Sequence, residues 1–96
     1  MYKVLILEPA LQDLNEAIGW YNYQNKALGI SFFEEVDYYI KAIQNNPFLF
    51  AVKFSEKFRF ANLKKFPFRI VYKVDEENKL IYINYIFHTK KDPSKF

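Results

Sequence analysis

Cysteine is absent, which excludes disulfides, thiolate metal sites and cysteine nucleophiles and suits a reducing cytoplasm. The one histidine, His88, cannot form a metal cluster by itself. The two glycines, Gly19 and Gly29, make no phosphate-cradling loop, and Ser31, Ser55 and Ser94 stand in no nucleophile context. No apolar run approaches the roughly 18 residues that a membrane span needs, and the apolar run in Met1-Tyr2-Lys3-Val4-Leu5-Ile6-Leu7-Glu8-Pro9 is too short for a signal peptide. These absences predict a soluble, intracellular protein with no cofactor and no membrane partner.

Bulk is abundant instead. Of the 96 residues, 51% are apolar and 21% aromatic, more than a disordered chain can keep solvated, and the length suits one domain over residues 1–96. Charge is unevenly placed. Residues 1–48 set three lysines against six acids, a net of −3, while the remainder sets eleven cations against five acids, a net of +6. That asymmetry favours an anionic partner for the second half, with an ordinary solvated surface as the alternative.

The second half is organised around a hairpin. Phe68 to Val74 and Leu80 to Phe87 are rich in β-branched and aromatic residues and are joined by Asp75-Glu76-Glu77-Asn78. Alternation groups Phe68, Ile70, Tyr72 and Val74 on one face, with Arg69, Val71 and Lys73 opposite. In the second run it groups Ile81, Ile83, Tyr85 and Phe87, leaving Leu80, Tyr82, Asn84, Ile86 and His88 opposite. One face is thus dry and must be covered.

The first half supplies the cover. Lys3 to Leu7 reads as a strand ending before Pro9, which suits the first turn of a helix. Leu11, Leu14, Ala17, Ile18 and Tyr21 recur at helical spacing and predict a helix from about Ala10 to Tyr23; Asp13 and Glu16 read as solvated residues near its start. Gln24 to Gly29 reads as the connector. Phe33, Val36, Ile40 and Ile43 then predict a second helix from about Ser31 to Gln44, stopped at Asn45-Asn46-Pro47. Phe48 to Phe54 suggests extended chain and Phe58 to Leu63 a further strand. The fold class is α+β, a small twisted, mostly antiparallel sheet packed on an N-terminal helical hairpin, in the order β-α-α-β-β-β with room for a fourth late strand.

Cations lie among the aromatics of the strand half: Arg59, Lys64, Lys65, Arg69, Lys73, His88, Lys90 and Lys91. Phosphates and stacked bases are bound by such mixtures, and Arg59, Lys64, Lys65, Lys73 and Lys91 are the candidate nucleic-acid or target-binding residues. Lysines that keep a half-exposed sheet soluble give the same pattern.

Several stretches, in this order, resemble the RelE/ParE family of bacterial toxins. They are Ala10-Leu11-Gln12-Asp13-Leu14 opening helix one, the Asn46-Pro47 break, the strand with Arg69 and Tyr72, and Phe87-His88-Thr89-Lys90-Lys91-Asp92-Pro93. The resemblance covers nearly the whole chain. It implies the toxin of a type II toxin-antitoxin pair, a cognate antitoxin as partner, and a possible toxin-antitoxin hetero-oligomer.

The family divides by target, one branch cleaving messenger RNA on the ribosome and the other poisoning DNA gyrase. Arg69 matches the arginine of the central strand and Lys90 falls near the family's tail arginine, so an endonuclease would use Arg69, His88 and Lys90. Phe60 and Asn62 stand about where the nuclease branch has two lysines, and the tail aromatic is Phe96, which cannot move a proton. RNA cleavage needs a base, an acid and stabilisation of the developing charge. The expectation is therefore a gyrase-poisoning toxin, with a ribosome-dependent mRNA endonuclease or a non-toxic antitoxin-binding relic as alternatives.

Overall fold

The computed structural model describes residues 1–90. Strand β1 (Lys3–Ile6) leads into helices α1 (Glu8–Gln24) and α2 (Lys26–Asn45), then strands β2 (Val52–Phe54), β3 (Phe58–Asn62), β4 (Phe68–Asp75) and β5 (Leu80–His88). Four strands therefore follow the helices. The sheet order is β1-β5-β4-β3-β2, with β1 parallel to β5 and the other pairs antiparallel. The helical hairpin packs on one face of this sheet, and among the described residues the opposite face carries no helix.

The joint between the helices is a single residue, not the six-residue connector expected. Asn25 is extended (φ −171°, ψ 127°); its N–H donates to Tyr21 O at 2.8 Å and its Oδ1 accepts from Ala27 N at 2.8 Å. One asparagine thus ends α1 and caps α2. Gly29, expected in the connector, is a buried residue of α2. A Cβ there would lie 3.3 Å from the backbone nitrogen of Asn22 and run into the Asn22 side chain, so the close approach of the two helices explains the glycine.

The core lies between helices and sheet. Phe32 of α2 is fully buried, with its ring centroid 5.2 Å from Tyr21, 5.1 Å from Phe66 and 4.8 Å from Phe68. Ile70, Tyr72, Ile81, Ile83 and Ile86 are also fully buried. The Tyr72 hydroxyl donates to Pro47 O at 2.8 Å, which fastens the chain leaving α2 to the sheet.

Strand β5 departs from simple alternation. Tyr72 is paired with Ile83 but Val71 with Tyr85, so Asn84 is an extra residue and forms a β-bulge. Beyond it, Ile86 joins the core where Tyr85 and Phe87 were expected, and these two turn to the helix-free face. The bulge leaves Asn84 Oδ1 buried without a hydrogen-bond partner among the described residues. Past the end of β1, Ile86 N of β5 donates to Asp13 Oδ2 at 3.0 Å. Asp13, read from the sequence as solvated, is therefore a partly buried residue that satisfies a strand-edge donor.

Candidate functional site

The helix-free face of β3, β4 and β5 gathers aromatic rings around cations. Asn62 is paired with Arg69, and Arg69 with Phe87, so these side chains share that face. The Arg69 guanidinium lies 4.8 Å from the Phe60 ring centroid and 5.8 Å from that of Phe87. Its Nε donates to Asn62 Oδ1 at 2.6 Å. Two rings and one amide fix the plane of the cation, while among the described residues the remaining guanidinium N–H groups keep their donor capacity for an anion. Four residues along β4, Lys73 Nζ lies 5.4 Å from the ring centroid of Tyr82.

His88 is not part of this cluster. It is paired with Phe68, and the two rings meet edge to face with centroids 5.1 Å apart. Phe68 and Arg69 are consecutive strand residues and project to opposite faces, so His88 lies on the helix side of the sheet. Its Nδ1 accepts the N–H of Lys90 at 3.1 Å. Lys90 is exposed just beyond the strand. The three residues named for a nuclease therefore do not converge: Arg69 stands on one face and His88 on the other.

The remaining candidates fall into two groups. Arg59 and Lys73 border a broad depression of about 680 Å³ that also collects Lys57, Glu56, Asp75 and Glu76, and is thus balanced in charge. Arg59 is already engaged, donating from Nη1 to Phe50 O at 2.7 Å and lying 5.0 Å from the Phe48 ring centroid. Lys64 and Lys65 stand together on the turn between β3 and β4, exposed, with their backbone N–H groups held by Glu35. Lys91 lies outside the described residues.

Sequence reasoning missed Phe60, Phe87 and Asn62 as the frame of Arg69. Phe60 and Asn62 were visible as departures from lysine, and alternation alone placed Phe87 on the other face. Glu35 left no signal beyond its position on the apolar stripe of α2. Among the described residues no group of acids and histidine stands ready to hold a metal ion, and no helix is long and apolar enough to cross a membrane.

Comparison with known proteins agrees with this architecture. Among solved structures, the chain is similar to a protein of the chromosomal ParDE toxin-antitoxin system of P. aeruginosa, at 20% identity and a TM-score of 0.78, covering 94% of this chain and 98% of that one. It is similar to a chain of the intact E. coli RelBE toxin-antitoxin complex at 15% identity and a TM-score of 0.74, covering 95% and 100%. The isolated E. coli RelE toxin matches at 14% identity and a TM-score of 0.74, covering 99% and 92%. At these identities the likeness shows the fold alone. A search of the curated proteins gives no match. Residues 4–93 match the profile of the ParE toxin of the type II toxin-antitoxin system parDE, nearly the whole length, and the chain belongs to this RelE/ParE family of toxins.

Proposed function

We propose that this protein arrests growth by binding and poisoning DNA gyrase, and that a cognate antitoxin neutralises it. The observation that carries the choice of target is the separation of Arg69 and His88 onto opposite faces of the sheet. Cleavage of RNA needs proton transfer beside charge stabilisation, and here the histidine nominated for the proton is turned away from the cation that would stabilise charge. Binding needs only the fixed guanidinium and its aromatic surround. The ParE profile supports the same choice, since its match runs from residue 4 to residue 93.

The antitoxin follows from the same family and from the surface. Trp20 is 59% exposed and Ile30 60%, so the helical hairpin presents apolar side chains that a partner chain would cover. A small acidic protein encoded beside this chain is the expected partner, folding on the hairpin or on the sheet edge over part of the Arg59, Arg69 and Lys90 surface.

Purified protein tested against gyrase and against translating ribosomes decides the target. The expected result is loss of supercoiling or trapping of cleaved DNA, with ribosome-bound message intact. Codon-phased cleavage of message that vanishes with Arg69→Ala and with His88→Ala, in folded variants, overturns the gyrase reading in favour of the nuclease.

A further inference from the structure

Away from the Arg69 face, α2 and the turn between β3 and β4 enclose a depression of about 360 Å³ lined by Tyr38, Tyr39, Lys64, Lys65, Glu34 and Glu35. Glu35 is only 8% exposed, on the stripe of α2 that also buries Phe32 and Val36. A carboxylate is costly to bury without donors, and Glu35 finds two: Oε2 accepts Lys64 N at 2.7 Å and Lys65 N at 2.9 Å. The backbone of the turn is thereby tied to the helix while both lysine side chains stay exposed. Among the described residues neither ammonium group has an ion-pair partner. On the helix wall Tyr38 is 69% exposed, its ring edge to face with Tyr39 at 5.7 Å.

A fixed pair of cations beside an open aromatic ring is what an unpaired nucleotide strand requires, since phosphates take the charges and any base can stack on the ring. We propose that this depression is a binding subsite for single-stranded nucleic acid, with a base on Tyr38, adjoining phosphates on Lys64 and Lys65, and Glu35 as the positioning residue of the turn. An acidic peptide would use the lysines but leave the face of Tyr38 unused, which favours the nucleotide strand. Glu34, exposed at the rim, opposes any anion here and sets the affinity below what the lysines alone would give. The subsite goes beyond the gyrase reading and is measured without gyrase or ribosome, so either can fail alone.

The test is fluorescence anisotropy of short labelled oligouridine and oligothymidine with the full chain over a range of salt. Tyr38→Ala should weaken binding at least about fivefold. The Lys64→Ala, Lys65→Ala double variant should reduce the slope of log affinity against log salt by about 1.4, the share of two phosphates on a single strand. Glu34→Gln should tighten binding. Glu35→Gln should weaken it while keeping more of the salt slope than the lysine pair does, because the charges persist and only their placement is lost. Lys3→Ala, an exposed lysine on the edge strand β1, should leave affinity nearly unchanged. Binding of both oligonucleotides supports the subsite, with any preference between them arising from the 2′-hydroxyl or the thymine C5-methyl group. Wild-type affinity in Tyr38→Ala, no binding to either strand, or polyglutamate bound as tightly as the oligonucleotides overturns the proposal.

Discussion

Phe68 and His88 meet edge to face across β4 and β5, with ring centroids 5.1 Å apart, and this contact holds the histidine on the side of the sheet away from Arg69. The two residues should therefore separate in their effects. His88→Ala removes one aromatic edge contact, worth about 0.5–1.5 kcal/mol of stability, and should leave growth arrest intact. Arg69→Ala removes contacts with Phe60 and Phe87, each worth about 0.5–1 kcal/mol at a partly exposed site, and should weaken growth arrest as well. Arg69→Lys keeps the charge but not the planar fork, so it should restore stability only in part. Induced expression beside denaturant unfolding checks both. Loss of growth arrest in a folded His88→Ala protein would count against the separation.

How far the sequence spoke can be seen at β5. The hairpin, its partner Phe68-Ile70-Tyr72-Val74 face and both helices were legible, because apolar residues recur at period two in β4 and at three and four in α1 and α2. The far half of β5 was not. Tyr85, Ile86 and Phe87 are all apolar, so alternation fits with or without an extra residue; only the pairing of Ile86 with Ile70 in the core selects the bulge. Phe87 and His88 exchange faces as a consequence, and the candidate site changes with them. The helix joint misled for a different reason. Asn25 and Gly29 both read as helix stops, yet only Asn25 is one, and Gly29 is small because Asn22 lies against it.

The glycines give a paired prediction. Gly29→Ala gains helix propensity of about 1 kcal/mol but must displace the Asn22 side chain and crowd its backbone nitrogen, and overpacking costs about 1–3 kcal/mol. The net expectation is destabilisation, relieved in part by Asn22→Ala. Gly19→Ala meets nothing within 4 Å and should instead stabilise by up to about 1 kcal/mol. Thermal melts of the four proteins separate the two effects, and a stabilised Gly29→Ala would show that the helices can part at no cost.

Stability should fall at alkaline pH. Burial pushes the Tyr72 hydroxyl above its ordinary value of 10.0, and burial likewise raises Tyr21 and Tyr39. A raised folded value means the neutral phenol is favoured in the fold. The contribution is therefore complete below pH 10 and is lost as pH climbs through the folded value. Tyr72→Phe gives up the hydrogen bond to Pro47, costing about 1 kcal/mol near neutrality, and should flatten the alkaline decline. Chemical denaturation on either side of pH 10 measures it; an equal decline in the variant would remove Tyr72 from the account.

The antitoxin contact should divide cleanly into rate and residence. Trp20 is the chain's one tryptophan and stands 59% exposed on α1, so its emission reports directly on whether a partner covers the hairpin. On binding the cognate antitoxin proposed above, emission should shift to the blue as water leaves the ring. The strand half carries the excess of cations, and opposite charge speeds encounter in a salt-dependent way while buried apolar anchors slow dissociation. Lys57→Glu with Lys90→Glu should thus slow association and flatten its dependence on ionic strength, leaving the dissociation rate nearly unchanged. Trp20→Ala should do the reverse, raising the dissociation rate at least about fivefold, since truncating a buried aromatic anchor costs more than about 1 kcal/mol. Stopped-flow association and dilution-induced dissociation give both rates. An emission maximum that stays put on complex formation would place the antitoxin elsewhere, leaving the sheet edges as its remaining route.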